Sequence, residues 1–455
     1  MSLPQEHTRA AHPVRTPRRT RVRFGIIALV FIVSTLNNAD RAILSITGTE
    51  IQGELGISPV TLGYLFSAFA WAYMLSQLPG GWIVDRFGAR RTYAGSIFLW
   101  SIMTLLQGVV PLFGIGSAVV ALFVLRLAVG LAEGPAYPTN ARVVATWFPA
   151  PERATASSIF NASQYAAPVV FTPFMAWLTH AYGWTSAYFV MGALGVLLSL
   201  AWFKIYAPPR EHPAANAAEV AHIAEGGGLV DIDQSRRTAS GDGLTTWACV
   251  KVLLTSRLMI GVYVGQFFIT TLVYFFLTWF PIFLVQELGM SLLKAGFTAS
   301  MPAVFGCVGG VLGGVVSDRL LKRGLSVTVA RKVPIIVGLL LSTSIVFCAG
   351  ASSQTLVIVL MALAFFGKGI GSLGWTVVSD TSPKEAAGIA GGLFNTFANL
   401  AGITTPIIIG YLVKATGSFD AALVFVGLSG LGAVLAFLAA GPIHRITLTP
   451  GTENT

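Results

Sequence analysis

Five ionisable residues stand where the sequence leaves them almost no water. Asp40 and Glu133 among the acids, and Arg41, Arg126 and Lys368 among the bases, lie deep inside long apolar runs; the other acids and bases fall at the ends of such runs or between them. A charge at the centre of a bilayer costs roughly 2.5–3.5 kcal/mol, which makes such residues candidates for function by default. Three cations against two acids leave a positive surplus, and the surplus grows when the acids carry protons. The set therefore attracts anions. Low solvation disfavours the charged carboxylate, so Asp40 and Glu133 can load protons on one side of a membrane and release them on the other. Their protonation frees Arg41 and Arg126 for an anion, and linkage makes the coupling mutual. A planar guanidinium donates two parallel hydrogen bonds to a carboxylate, so Arg41 is the first candidate for a substrate clamp. Lys368, in the other half of the chain, is the candidate for a second carboxylate on the same molecule. Arg126 and Glu133 are seven residues apart, on one helix face but two turns distant, so their ionic partners are expected on other helices. The alternatives are a static salt-bridge network around Asp40 and Glu133, and a structural pairing of Lys368 with an acid or a carbonyl.

Apolar helices must hold these charges. Of 455 residues, 54% are hydrophobic and 11% charged, against about 25% charged in soluble domains. Lipid is the solvent such a chain requires, and its 49 glycines suit close helix approach. Twelve segments read as spanning helices: 24–46, 60–82, 91–111, 117–142, 154–180, 185–206, 257–286, 294–317, 331–350, 355–377, 386–414 and 419–440. The expected fold class is an all-α integral membrane protein of two pseudo-symmetric six-helix bundles. The domains are a basic tail (1–23), a first bundle (24–206), a polar inter-half loop (207–256), a second bundle (257–440) and a tail (441–455). The basic residues before the run from Phe24 resemble a signal peptide, but no small-residue cleavage site follows, so that run is expected to stay as the first helix.

Orientation follows from the cations. With the N-terminus cytoplasmic, 24 Lys and Arg residues fall in cytoplasmic segments and two, Lys294 and Lys414, on the other side. Both termini are expected in the cytoplasm. The net charge of +10 is then a topology signal and does not imply nucleic acid. Gly81-Trp-Ile-Val-Asp85-Arg86 and Gly314-Val-Val-Ser-Asp318-Arg319 recur 233 residues apart, each followed by further cations. A two-half repeat suits alternating access around a site at the midplane.

Gly81-x-x-x-Asp85-Arg86-x-Gly88-x-Arg90-Arg91 resembles the signature between helices 2 and 3 of the major facilitator superfamily. The resemblance implies a glycine for close helix approach and a charge lock, with Asp318 and Arg319 as its counterpart in the second half. Asn38-Ala-Asp40-Arg41, Gln77-Leu-Pro-Gly-Gly-Trp82, Glu133-Gly-Pro-Ala-Tyr-Pro138, Phe276-Leu-Thr-Trp-Phe-Pro281 and Gly391-Gly-Leu-Phe-Asn395 resemble the anion:cation symporter family. They are most similar to its bacterial D-glucarate/galactarate transporters, then to its D-galactonate transporters. The similarity runs from about residue 20 to the end of the last helix. It implies proton coupling at Asp40 and Glu133, with Arg126 beside them. It also implies substrate contacts at Tyr73, Gln164, Ser372, Trp375 and Asn395. Lys368, Ser372 and Trp375 are spaced to share a helix face, and so are Asn395 and Asn399. Gly374 departs from the galactonate pattern, where a hydroxyl residue is expected, and galactonate-type relatives tend to be uncharged at the position of Lys368.

The expected function is proton-coupled import of a sugar acid, D-glucarate or galactarate first. D-galactonate, hexuronate or another organic anion, coupled to protons or sodium, is the alternative, and a non-transporting receptor a distant one. No enzyme is expected: the six histidines lie in tails, loops or at helix ends, and no phosphate loop or nucleophile–base pair appears. Cys249, Cys307 and Cys348 have no metal spacing. No cofactor is expected. The expected partners are the sugar acid, protons and membrane lipid, with the protein a monomer in a bacterial inner membrane.

Overall fold

The computed structural model describes residues 19–231, 246–351, 353–383 and 386–446. The tail to residue 18, the segment with Asp233, Arg236 and Arg237, Lys384 and residues 447–455 lie outside them. Among the described residues the chain is helical, with no strand. The first half contains α1 (Val22–Leu55), α2 (Pro59–Gln107), α3 (Ile115–Glu133), α4 (Ala136–Trp147), α5 (Arg153–Asn161), α6 (Ser163–Tyr182) and α7 (Trp184–Ile205). Two short helices, α8 (Ala217–Glu225) and α9 (Thr246–Thr255), follow. The second half contains α10 (Arg257–Tyr274), α11 (Phe280–Gln286), α12 (Leu292–Lys322), α13 (Val327–Ser342), α14 (Gln354–Ile370), α15 (Gly374–Thr381), α16 (Ala387–Thr416) and α17 (Asp420–Ala439). Nine helical units among the described residues are long and apolar enough to cross a membrane. The remaining expected segments fall on the two arms of α2 and on the α5–α6 pair.

Local chemistry sets the boundaries. Ser58, Ser256, Ser291, Ser326 and Ser353 each accept a hydrogen bond from the backbone N–H three residues on and start a helix. Gly56, with φ 61°, ends α1 in the left-handed region. Two boundaries differ from the sequence reading. The helix expected to stop at residue 46 continues to Leu55, because Ile51 and Leu55 are buried and Trp184 Nε1 donates to Glu54 Oε2 at 2.6 Å. The second and third segments form one helical run that doubles back at Gly88, whose φ of 74° and ψ of 164° suit only glycine.

The inter-half loop is more structured than its polarity suggests. The Glu219 side chain is fully buried and caps the start of α1. It accepts from Thr20 Oγ1 at 2.6 Å, from the N–H groups of Val22 and Arg23 at 3.0 and 3.2 Å, and from Arg23 Nη1 at 3.2 Å. Burial alone would raise this carboxyl, but the hydrogen bonds from Thr20, Arg23 and Val22 hold it below the usual carboxylate range. Arg23 also pairs with Glu152 at 3.0 Å, and Arg153 donates to Gly227 O. Residues 207–231 thus sit on the first half.

The helices alternate in direction, so the described start of α1 and the end of α17 lie at one end of the molecule, called here the near end. At the far end one apolar core is shared by both halves: Ile43, Ile51, Leu62, Trp184 and Tyr188 join Phe275, Trp279, Ile282, Phe283 and Phe419. At the near end each half keeps its own core, one around Tyr93, Trp100, Trp147 and Trp202, the other around Met259, Tyr263, Val377 and Phe437. A Cβ on Gly63 would stand 2.6 Å from Pro406 O, so the helices meet there backbone to backbone. Gln286 Nε2 donates to Gln52 Oε1 across the same far seam. Among the described residues the far end is sealed and the near end is parted.

Candidate functional site

The charged cluster is built where helices break. α3 ends at Glu133 because Gly134 and Pro135 follow, and proline lacks the N–H that would continue the ladder. Glu133 is wholly buried there. From α1, Arg41 reaches it: Nε and Nη2 stand 3.0 and 2.9 Å from Glu133 Oε2. Arg41 Nη2 also donates to Asn37 Oδ1 at 3.2 Å. The guanidinium lies over Tyr73 and Phe69, 4.5 and 4.8 Å from their centroids. Arg126 faces the same Phe69 ring at 5.9 Å, and its Nε is buried without a hydrogen-bond partner. Asp40 is 2% exposed, and neither of its carboxylate oxygens meets a donor at full hydrogen-bond geometry, with the Thr104 hydroxyl and Arg126 as its electrostatic neighbours. The sequence expectation of cross-helix partners for Glu133 is met by Arg41. That pairing also means that Arg41, the candidate clamp, is engaged by an acid in this conformation.

The second half presents a different wall. Lys368 is 7% exposed, and no carboxylate among the described residues lies within ion-pair distance of it. Its Nζ stands 5.2 Å from the ring of Phe365 and 5.9 Å from that of Tyr165, which comes from the first half. The expected single helix face of Lys368, Ser372 and Trp375 is corrected. α14 ends at Ile370 and α15 starts at Gly374, because glycines at 367, 369, 371 and 374 weaken the helix. Ser372 sits in the break and donates to Gly369 O, while Trp375 lies on α15, largely exposed, with its ring edge on Phe394. Asn399 Nδ2 donates to Asn395 O, so those two do share a face. Gln164 is exposed beside the α5–α6 break and donates to Asn161 O. A separate crevice of about 440 Å³, lined by Phe31, Ile32, Phe171, Leu194 and Leu197 among others, offers no charge to an anion.

The gating motif departs from its expected geometry. A Cβ on Gly81 would meet nothing within 4 Å, so this glycine makes no close helix contact here. Asp85 pairs with Arg142 of its own half at 2.7 Å. Arg86 packs over Trp82 and Phe87, and Arg90 donates to Phe203 O. In the repeat, Asp318 pairs with Arg331 at 3.4 Å, not with Arg319, and Arg331 also holds Asp380 at 2.9 Å. The pairs of Asp85 with Arg142 and of Arg331 with Asp318 and Asp380 each join helices within a half.

Sequence reasoning missed Asn37, Tyr165, Arg142, Arg331 and Asp380. Arg331 and Asp380 sit near helix ends, and Arg142 lies at the edge of an expected apolar segment, where a charge draws no notice. Asn37 and Tyr165 adjoin residues already singled out, and only three-dimensional proximity promotes them.

Comparison with known proteins follows the same lines. A sequence profile for the Major Facilitator Superfamily matches residues 30–330. The chain is 57% identical over 432 residues to a probable galactarate/D-glucarate transporter, GudP, of Bacillus subtilis (strain 168), covering 95% of this chain and 94% of that protein. It is 41% identical over 437 residues to a D-galactonate transporter of Escherichia coli O6:H1, covering 95% and 99%. The crystal structure of a D-xylose-proton symporter superposes with a TM-score of 0.70 at 16% identity, covering 92% of this chain and 98% of that one.

Proposed function

We propose that this chain, which belongs to the Major Facilitator Superfamily and so is a transporter and not an enzyme, imports a sugar di-acid, galactarate or D-glucarate, together with protons by alternating access. The observation that carries the reading is the placement of charge: in the first half two buried acids with Arg126 buried and Arg41 half-buried beside them, and in the second the buried Lys368, which has no acid partner among the described residues. The names of the relatives support the substrate class.

Asp40 and Glu133 are the proton carriers. A buried carboxylate that meets no donor at full hydrogen-bond geometry is costly when charged and cheap when neutral, which describes Asp40. Glu133 is held by Arg41; a proton on Glu133 releases the guanidinium toward a substrate carboxylate. Arg126, 5.9 Å from the same Phe69 ring, keeps the surroundings positive. Lys368 binds the second carboxylate, so a di-acid spans the halves and a mono-acid cannot. Tyr73, Gln164, Ser372, Trp375, Asn395 and Asn399 supply the phenol, amide, hydroxyl and indole groups that sugar hydroxyls need. The halves, residues 24–206 and 257–440, rock as units with twelve spans, and Gly81, Asp85, Arg86, Gly88 and Arg90 with Asp318 and Arg319 form the near-side gate. The near end, with its basic loops, faces the cytoplasm of a bacterial cell, and the protein works as a monomer in the inner membrane.

The test is uptake of radiolabelled galactarate into proteoliposomes under an inward proton gradient, with unlabelled galactarate, D-glucarate, D-galactonate, hexuronates and glucose as competitors. The di-acids should compete best, and a protonophore should stop accumulation at constant sodium. Accumulation driven by sodium alone, or competition by glucose, would contradict the assignment.

A further inference from the structure

α2 of the first half and α16 of the second run antiparallel along the seam between the halves. At the far end they touch at Gly63 with Pro406 and at Gly410 with Pro59, and Tyr64 Oη lies 3.5 Å from Tyr411 Oη. Deeper in, Asn395 Nδ2 donates to Gln77 Oε1 at 2.6 Å. Beyond that bond, toward the near end, a Cβ on Gly81, Gly388 or Gly392 would meet nothing within 4 Å. Gln77 and Asn395 thus stand where the contact ends and the gap begins. Gln77 is one turn from Tyr73, which lies under Arg41, and Asn395 is one turn from Asn399. The bond leaves Gln77 Nε2 buried with no acceptor among the described residues. A buried amide donor without an acceptor is unfavourable, and a polyhydroxylated cargo beside Tyr73 brings acceptors.

We propose that Gln77 and Asn395 form a substrate-exchanged latch: their hydrogen bond holds the halves in the near-open state when the site is empty, and sugar hydroxyls replace it when substrate binds. Gln77 is thereby a positioning residue that neither the charge pattern nor the family resemblance assigned to the site. The mechanism needs no new charge, because one neutral hydrogen bond between rigid helices biases a two-state equilibrium severalfold. The exchange rests on the sugar-acid reading above, whereas the latch itself can be read without substrate.

The experiment measures alkylation of single introduced cysteines by a permeant maleimide, above the reactivity of the parent's own three cysteines. Gly392→Cys reports the near gap, and Ile282→Cys, buried in the far seam, reports far-side opening. With no substrate, adding Gln77→Leu or Asn395→Leu should slow labelling at 392 and speed it at 282 by about threefold to tenfold, the weight of one hydrogen bond. The double leucine variant should change no further than either single one. The exchanged pair Gln77→Asn with Asn395→Gln should restore the parent rates, a rescue that loss of packing would not allow. Unchanged substrate-free labelling in both leucine variants, or additive effects, overturns the latch whatever the cargo. If labelling responds but galactarate leaves the parent's rates unaltered while another acid shifts them, the latch stands and the di-acid reading falls. If labelling responds and no sugar acid shifts the parent's rates, the exchange is overturned.

Discussion

In the first half, Arg41 and Glu133 pair at 2.9 Å with the guanidinium over the rings of Tyr73 and Phe69, and Asp40 and Arg126 are buried nearby in sequence. In the second half, Lys368 stands 5.2 Å from the ring of Phe365 and 5.9 Å from that of Tyr165, with no acid among the described residues to meet it. The two halves solve the problem of buried charge differently. A paired cluster changes its charge when a proton arrives, so it suits the driving ion. An unpaired lysine keeps its charge until an anion comes, so it suits the cargo. On the function proposed above, energy coupling would belong to the first half and selection of the second carboxylate to the second.

The largest effect that would break this contrast is at Asp40. Asp40→Asn should lower pH-driven accumulation by about 5- to 150-fold, the span of ordinary coupling energies, while counterflow at equal pH continues. An equal loss of both would make Asp40 structural. Lys368→Asn comes next. It should weaken galactarate binding about tenfold to hundredfold, as expected for a charge-assisted hydrogen bond, and leave D-galactonate nearly unaffected, as read by competition. An unchanged preference for the di-acid would remove Lys368 from selection.

Smaller effects test the scaffold under the first cluster. Gly88→Val forces a β-branched residue into φ 74° and should cost about 1–3 kcal/mol, seen as a lower unfolding temperature in detergent. Glu219→Gln removes the charged cap of the helix that carries Asp40 and Arg41, and should cost about 0.5–2 kcal/mol. Because the Glu219 carboxyl is held below the usual carboxylate range, its contribution is complete at neutral pH and fades as acidification passes below that range. The unfolding temperatures of wild type and Glu219→Gln should therefore converge at low pH; divergence on acidification would refute the cap.

Much of this was legible in the chain. The apolar segments and the five charges set inside them come from composition and the cost of charge in lipid. The pairing of Glu133 with Arg41 was legible only as a need for a partner on another helix. The break at Gly371–Leu373 was missed because spacing alone places Lys368, Ser372 and Trp375 on one face, whereas close glycines let the helix part. Gln77 was passed over because a neutral amide inside a helix has no signature until the opposing Asn395 is seen. Asp85 and Asp318 found partners within their own halves because the near end is parted, and no sequence states which end is open.

The central claim is that the buried acids carry the protons that travel with the cargo. Internal pH of proteoliposomes, followed by a trapped dye as galactarate is added outside, tests it directly. Wild-type protein should acidify the interior without sodium, and the Asp40→Asn, Glu133→Gln double variant should not, although its galactarate counterflow persists. Acidification that survives in the double variant, or galactarate uptake by wild type with no proton movement, would contradict it.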